Sequence, residues 1–432
     1  MPWHRLSVGS PVVISNFRED DGSSLTGVVS ARKPDSLQVA LDHWPDGEVF
    51  RIDLTADEIT RQRMMAAINT AMHSRGRLGD IRKTLMGSRD PEFSPQKETG
   101  FRTELNASQQ EAVRFALSAH DLAVIHGPPG TGKTTTVVEL ITQAVERGAR
   151  VLACAPTNTA VDNMLVRLIE LNQKVVRLGH PARVSQQLQD FTLDGLVENS
   201  DEMAVIRSLR READELFRMA DRYTRARPAR GEKAEMRREA RQLLGHARLM
   251  EKRTMDHVLD RADVICATIT FNETLIGDRH FDLLVIDEAC QSVEPGCWIP
   301  LLRTDRVVLA GYHCQLPPTI LSRQAANEGF DVSLMQRVIE LYGDDVTRML
   351  DVQYRMHNQI MNFSSNQFYE GKLEGDPSVQ SHLLCDLPEV ASGELTETPV
   401  LFIDTAGVDD SGALGQQRVA KTRQVFDRTD LG

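Results

Sequence analysis

His126-Gly127-Pro128-Pro129-Gly130-Thr131-Gly132-Lys133-Thr134-Thr135 leaves an apolar run at residues 122–125 and opens a stretch of helical period. The spacing GxxxxGK[ST] between a strand and a helix carries a mechanism as well as a pattern. Glycines let backbone N–H groups turn inward around phosphates, and the first turn of the helix adds partial positive charge. On this reading Gly127, Pro128, Pro129, Gly130, Thr131, Gly132, Thr134 and Thr135 wrap a nucleoside triphosphate. Lys133 reaches the β and γ oxygens, and the Thr134 hydroxyl ligates magnesium.

Apolar runs of strand length recur on the C-terminal side, at residues 151–155, 175–178, 264–267, 283–286 and 307–310, with helical stretches between several of them. Buried parallel strands of a doubly wound α/β sheet have this pattern. One of them, Phe281-Asp282-Leu283-Leu284-Val285-Ile286-Asp287-Glu288, ends in two adjacent carboxylates. Ligands of open α/β sheets bind at such strand ends. Asp287 is therefore expected in the magnesium shell and Glu288 as the base that polarises the attacking water. So far the chain is a P-loop nucleotide hydrolase of unspecified kind.

The flanking regions differ. Residues 10–55 hold short β-branched runs separated by turn-forming stretches, which predicts a small antiparallel barrel over residues 1–55. Residues 56–100 read as a helical stalk and a Pro- and Gly-punctuated linker. The first ATPase domain is expected over residues 101–325. Between 201 and 260 it is interrupted by a stretch in which Ile206, Leu209, Ala213, Leu216 and Ala220, then Leu243, Leu244, Ala247 and Met250, keep helical spacing. This predicts an inserted helical hairpin, its arginines either on an ion-paired solvated face or on a rim facing nucleic acid phosphates. Residues 326–432 are left for a partial second domain.

Length and composition bound the rest. A chain of 432 residues with 41% apolar and 26% charged residues buries real cores in about two to four domains. Its net charge of -12 argues against coating polyanions by bulk electrostatics, leaving room only for a narrow basic channel. The six cysteines form no CxxC pair and are expected as reduced core thiols. No apolar run approaches the roughly 20 residues of a membrane helix, and the start lacks a signal-peptide pattern. A cytoplasmic monomer that does not engage a membrane is the expectation.

Four further stretches choose among P-loop enzymes. They are Leu105-Asn106-Ala107-Ser108-Gln109-Gln110-Glu111-Ala112-Val113, Ala155-Pro156-Thr157-Asn158-Thr159-Ala160-Val161-Asp162-Asn163, Gly311-Tyr312-His313-Cys314-Gln315-Leu316-Pro317-Pro318 and Gln353-Tyr354-Arg355-Met356-His357. In this order the set resembles the superfamily 1B helicases, in the branch of immunoglobulin mu-binding protein 2 and the nonsense-mediated-decay helicase. An AAA+ remodeller shares the P-loop but not the second and fourth stretches. The resemblance implies ATP and magnesium, single-stranded DNA or RNA as the polymer, RecA-like domains and 5′ to 3′ stepping. It also implies that Gln109 reads adenine, Tyr354 stacks on it, Arg355 meets the γ-phosphate from a second domain and Gln315 senses hydrolysis. Pro156, Thr157 and Asn158 would hold phosphates of the strand without reading sequence, with Thr268 beside them. Helix N-capping is the alternative for Thr157 and Thr268.

Two departures qualify the resemblance. Tyr312 stands where the family has aspartate, which puts coupling of hydrolysis to movement in doubt. After residue 404 neither strand periodicity nor the family's later motifs are present, so the second motor domain is expected to be incomplete, as in a truncated or frameshifted member. The expectation is ATP binding with poor turnover and unwinding; an ATP-regulated clamp without unwinding is the alternative.

Overall fold

The computed structural model describes residues 6, 8, 10–16, 24–33, 36–41, 49–54, 58–221, 232–312, 317–320 and 322–402. Gln315, part of the break between the hairpin helices and the tail from residue 403 lie outside them.

Near the N-terminus, β-branched runs form β1 (Pro11–Asn16), β2 (Ser24–Arg32), β3 (Leu37–Leu41) and β4 (Phe50–Leu54). They pair antiparallel in the order β3-β2-β1-β4 around Leu6, Val12 and Val29. Among the described residues these strands form one four-stranded antiparallel sheet, in which β3 and β4 are the two edges.

The central sheet consists of β5 (Leu122–His126), β6 (Val151–Ala155), β7 (Val175–Arg177), β8 (Val264–Thr268), β9 (Leu283–Ile286), β10 (Val307–Gly311) and β11 (Thr347–Met349). The order is β11-β5-β10-β9-β6-β8-β7, with every pair parallel. The six internal runs read from sequence are strands to within a residue. Val, Ile, Leu, Ala and Cys fill them because helices cover both faces of a parallel sheet.

The seventh strand corrects the boundary expected at residue 325. Thr347–Met349 is the edge of the first sheet, and the helix Leu334–Tyr342 buries Leu334, Met335 and Val338 in the same core. By contacts the chain forms two compact units, residues 1–127 with 133–349, and residues 128–132 with 350–432. In the second unit the short strands β12 (Val352–Gln353) and β13 (Glu374–Gly375) pair in parallel, and the helix Asn358–Phe368 follows β12 in sequence.

The expected stalk is part of the first core, and the linker after it packs the half-buried Phe93 against that core. Helices Glu58–Met72 and Gly76–Leu85 contribute Ala67, Ala71, Ile81 and Leu85 to it. Arg77 pairs with the fully buried Asp121 at 2.5 Å and donates to the Asp305 carbonyl at 2.7 Å. Phe93 stacks on Phe115 with ring centroids 4.7 Å apart.

Between β7 and β8, helices Asp201–Asp221 and Glu232–Arg261 lie against each other. Ile206, Ala213 and Ala220 are buried and Leu209 and Leu216 half-buried, a spacing of three and four residues that places one stripe at the seam. Arg210 pairs with Glu251 at 2.6 Å and Arg237 with Asp221 at 2.7 Å, so these arginines tie one helix to the other. Exposed pairs of this kind contribute about 0.2–1 kcal/mol each.

Candidate nucleotide site and nucleic acid edge

Strand ends place the chemistry. Gly130 and Gly132 adopt φ of +84° and +73°, a left-handed backbone that a side chain would strain. Gly127 is needed for another reason: a Cβ there would lie 2.8 Å from Cβ of Lys133. Within the loop the Thr131 hydroxyl donates to the Pro128 carbonyl at 2.8 Å. The helix Lys133–Glu146 begins at the lysine, leaving its first backbone N–H groups without carbonyl partners of their own helix. Thr134 is half-buried, and the Thr135 hydroxyl accepts from Arg167.

β9 delivers Asp287 and Glu288. The Asp287 N–H donates to the Cys154 carbonyl on β6 at 2.8 Å, which fixes where the strand ends. Glu288 then turns sharply, with φ of 54°, a conformation costing a non-glycine residue about 1–3 kcal/mol. Its N–H caps the Asp287 carboxylate at 2.9 Å. Lys133 Nζ lies 3.2 Å from Asp287 Oδ1 and 2.5 Å from Glu288 Oε1, so these three residues come together. Burial pushes the Lys133 pKa down, but the two carboxylates outweigh it and the net shift is upward. The ammonium stays charged at neutral pH. Gln291, absent from the sequence reading, donates to Glu288 Oε2 at 3.1 Å and steadies it. No pattern marks this glutamine, because only the turn after Glu288 brings it back.

Gln109 is buried on the helix Ala107–Ser118, where its carboxamide oxygen accepts from the Asn106 N–H at 3.0 Å while Asn106 accepts from the Gln109 N–H. That capping box leads in from a segment held by Glu139. Fully buried on the P-loop helix, Glu139 accepts from the backbone N–H groups of Arg102 and Thr103, both at 2.9 Å, and from the Thr103 hydroxyl and Gln143. The helix that follows the phosphate loop and the turn before Gln109 are therefore tied through one carboxylate.

In the second unit the Tyr354 N–H donates to the Gly130 carbonyl at 2.8 Å, and a Cβ on Gly130 would lie 2.7 Å from that of Arg355. Both side chains are exposed. Gln353, fully buried, sets their backbone: its Oε1 accepts from the N–H groups of Arg355 and Met356 at 2.8 and 2.7 Å.

At the end of β10, Gly311 has no room for a side chain, since a Cβ would meet Met335 Sδ at 2.8 Å. Tyr312 is buried, its ring stacked on His126 at 5.7 Å and its N–H directed to Cys290 Sγ at 3.5 Å. Burial pushes the Cys290 thiol up, and that of Cys266 to about 12. Cys154, Cys266, Cys290 and Cys297 are buried thiols as expected, whereas Cys385 is half-buried and Cys314 lies outside the described residues.

On the other side of β9, the ends of β6 and β8 carry the nucleic acid candidates. Ala155 and Thr268 are register partners, which sets Pro156, Thr157 and Asn158 beside Thr268. The exposed Thr157 caps the helix Asn158–Glu170, its hydroxyl oxygen accepting from the Ala160 N–H at 3.2 Å. Among the described residues Asn272, rather than Thr268, caps the short turn that follows β8.

A family model described as an AAA domain matches residues 104–323, half of the chain, and a second AAA-domain model matches residues 330–425. The DNA-binding protein SMUBP-2 of Mesocricetus auratus is 40% identical over 414 residues, 91% of this chain and 41% of its own length. The DNA polymerase alpha-associated DNA helicase A of Schizosaccharomyces pombe is 37% identical over 399 residues, 89% of this chain and 58% of its own. An uncharacterized ATP-dependent helicase of Methanocaldococcus jannaschii is 32% identical over 451 residues, covering 94% and 67%. This chain thus spans about two fifths of the length of the SMUBP-2 relative. No helix among the described residues is long and apolar enough to cross a membrane. From its phosphate loop to the Tyr354-Arg355 segment, the chain belongs to the AAA-domain family of superfamily 1B helicases.

Proposed function

We propose that this chain is an ATP-dependent helicase that hydrolyses ATP to step along single-stranded DNA or RNA, acting in the cytoplasm as a single chain. One observation carries the reading: β6 lies between β9 and β8, so the Asp287-Glu288 turn and the Pro156-Thr157-Asn158 turn end neighbouring strands. The bond from the Asp287 N–H to the Cys154 carbonyl ties the ends of these two strands together.

The residues divide the work by chemistry. Lys133, released from its carboxylates, holds the β and γ oxygens, and the N–H groups of residues 130 and 132–135 surround the phosphates. Thr134 and Asp287 offer hard oxygen donors, the set that suits magnesium, which when bound neutralises phosphate charge. Glu288 accepts the proton of the attacking water. Gln109 reads the adenine edge, Tyr354 stacks on its face and Arg355 brings a guanidinium to the γ-phosphate. Gln315 reports the state of that phosphate. Thr157, Asn158 and Thr268 grip the strand.

Steady-state hydrolysis with and without single-stranded oligonucleotide, together with displacement of a labelled strand, tests the proposal. Stimulation by the polymer is expected, with only slow displacement in the 5′ to 3′ direction, since Tyr312 replaces the family's carboxylate. A rate indifferent to the polymer, with ATP-dependent binding retained, favours a clamp instead. Tyr312 motivates that second reading, because its buried ring occupies the strand end beside Glu288 where the family has a short carboxylate. Tyr312→Asp is expected to raise polymer-stimulated turnover by about tenfold, the worth of one charge-assisted hydrogen bond. An unchanged rate places the coupling elsewhere.

A further inference from the structure

Arg177, at the end of β7, is fully buried, yet its guanidinium enters none of the chemistry above. Nε donates to Asp162 Oδ1 at 3.1 Å, one terminal nitrogen donates to Asn158 Oδ1 at 2.8 Å and the other to the Leu178 carbonyl. The second oxygen of Asp162 accepts from the Ser185 N–H at 3.0 Å. Gly179, at φ of +149°, leaves the space, since a Cβ there would come within 3.2 Å of a guanidinium nitrogen. Burying a charge costs several kcal/mol unless it is paired and hydrogen-bonded, and here both conditions are met. What the network holds in place is the first turn of the helix that follows Pro156.

We propose that Arg177 is a positioning residue for the nucleic acid backbone, locking the Asn158 carboxamide with its oxygen inward and its NH2 outward as a donor to a phosphodiester oxygen. A guanidinium has donors only, so the atom of Asn158 that faces it is the oxygen. An ionised phosphate accepts only, and a freely turning amide would present oxygen to it in half of its orientations. The lock removes that repulsive half. The inference rests on the reading that the strand passes over Asn158.

Binding of the full chain to a fluorescently labelled single-stranded oligonucleotide, followed by anisotropy, tests it with Asn158→Ala, Asn158→Asp, Arg177→Lys and the double variant Arg177→Lys with Asn158→Ala. A lysine keeps the charge beside Asp162 but not the fork that reaches Asn158 as well. Arg177→Lys is expected to weaken binding about tenfold alone and less than about twofold further in the Asn158→Ala background. Asn158→Asp keeps a partner for Arg177 and turns an acceptor outward, so it is expected to bind more weakly than Asn158→Ala. Equal penalties of Arg177→Lys in both backgrounds overturn the positioning role alone, since the residue then acts through the fold. Unchanged affinity of both Asn158 variants overturns the strand path itself, and the inference with it. Should the lysine variant unfold, the order of the two Asn158 variants still decides which face of the amide meets phosphate.

Discussion

Arg355→Ala lowers polymer-stimulated ATP hydrolysis by about 10³-fold or more, while ADP binds with affinity within a few-fold of the parent chain. The difference between the two effects follows from where charge develops. A guanidinium aimed at the γ-phosphate meets charge that grows in the transition state, and ADP lacks that phosphate altogether. The local structure suits such a part. Gln353 clamps the backbone of Arg355 and Met356 from inside, and the Tyr354 N–H is tied to Gly130, so the main chain is set while the Arg355 side chain stays exposed. Arg355→Lys is expected to recover little, because an ammonium offers no planar fork. Turnover and ADP affinity measured on one preparation check the prediction. A loss below about tenfold removes Arg355 from the transition state.

The legibility of this chain follows its burial. Strands covered on both faces admit little but apolar residues, so β5, β6, β8, β9 and β10 are visible as runs, and the phosphate loop is visible because its glycines answer to steric limits at Gly127, Gly130 and Gly132. Thr347–Met349 was hidden: three residues long, at the sheet edge, with Arg348 and Met349 only half-buried, it needs no apolar run. Residues 88–100 look like a linker in sequence because their order comes from partners far along the chain, such as Asp121 accepting from the Glu92 N–H at 3.1 Å. The same holds for the site. Lys133, Asp287 and Glu288 sit in local patterns with known mechanisms, whereas Glu139 and Arg177 act by bonds that only the fold creates, and Gln291 and Gln353 act within short turns whose geometry the sequence does not display.

Glu288→Gln is the substitution that most directly separates chemistry from binding. The amide keeps the size of the side chain, and its oxygen can still accept from Lys133, but it cannot take a proton from water. General-base catalysis contributes about 10²–10⁴-fold, so turnover is expected to fall by that factor. Binding should not fall with it. Lys133 loses its closest carboxylate partner, 2.5 Å away, and keeps Asp287 at 3.2 Å. A lysine held by one carboxylate rather than two is easier to turn toward a triphosphate, so ATP affinity is expected to hold or rise while hydrolysis slows. The left-handed turn at Glu288 is kept, since glutamine fits that backbone no worse than glutamate. Asp287→Asn supplies the contrast, because exchanging a charged carboxylate for a neutral amide oxygen weakens magnesium-dependent nucleotide binding. Fluorescent ATP titration with and without magnesium, beside the steady-state rate, distinguishes the two variants. If Glu288→Gln retains more than about a tenth of the parent rate, the proton leaves by another group and the division of labour between the two carboxylates is wrong.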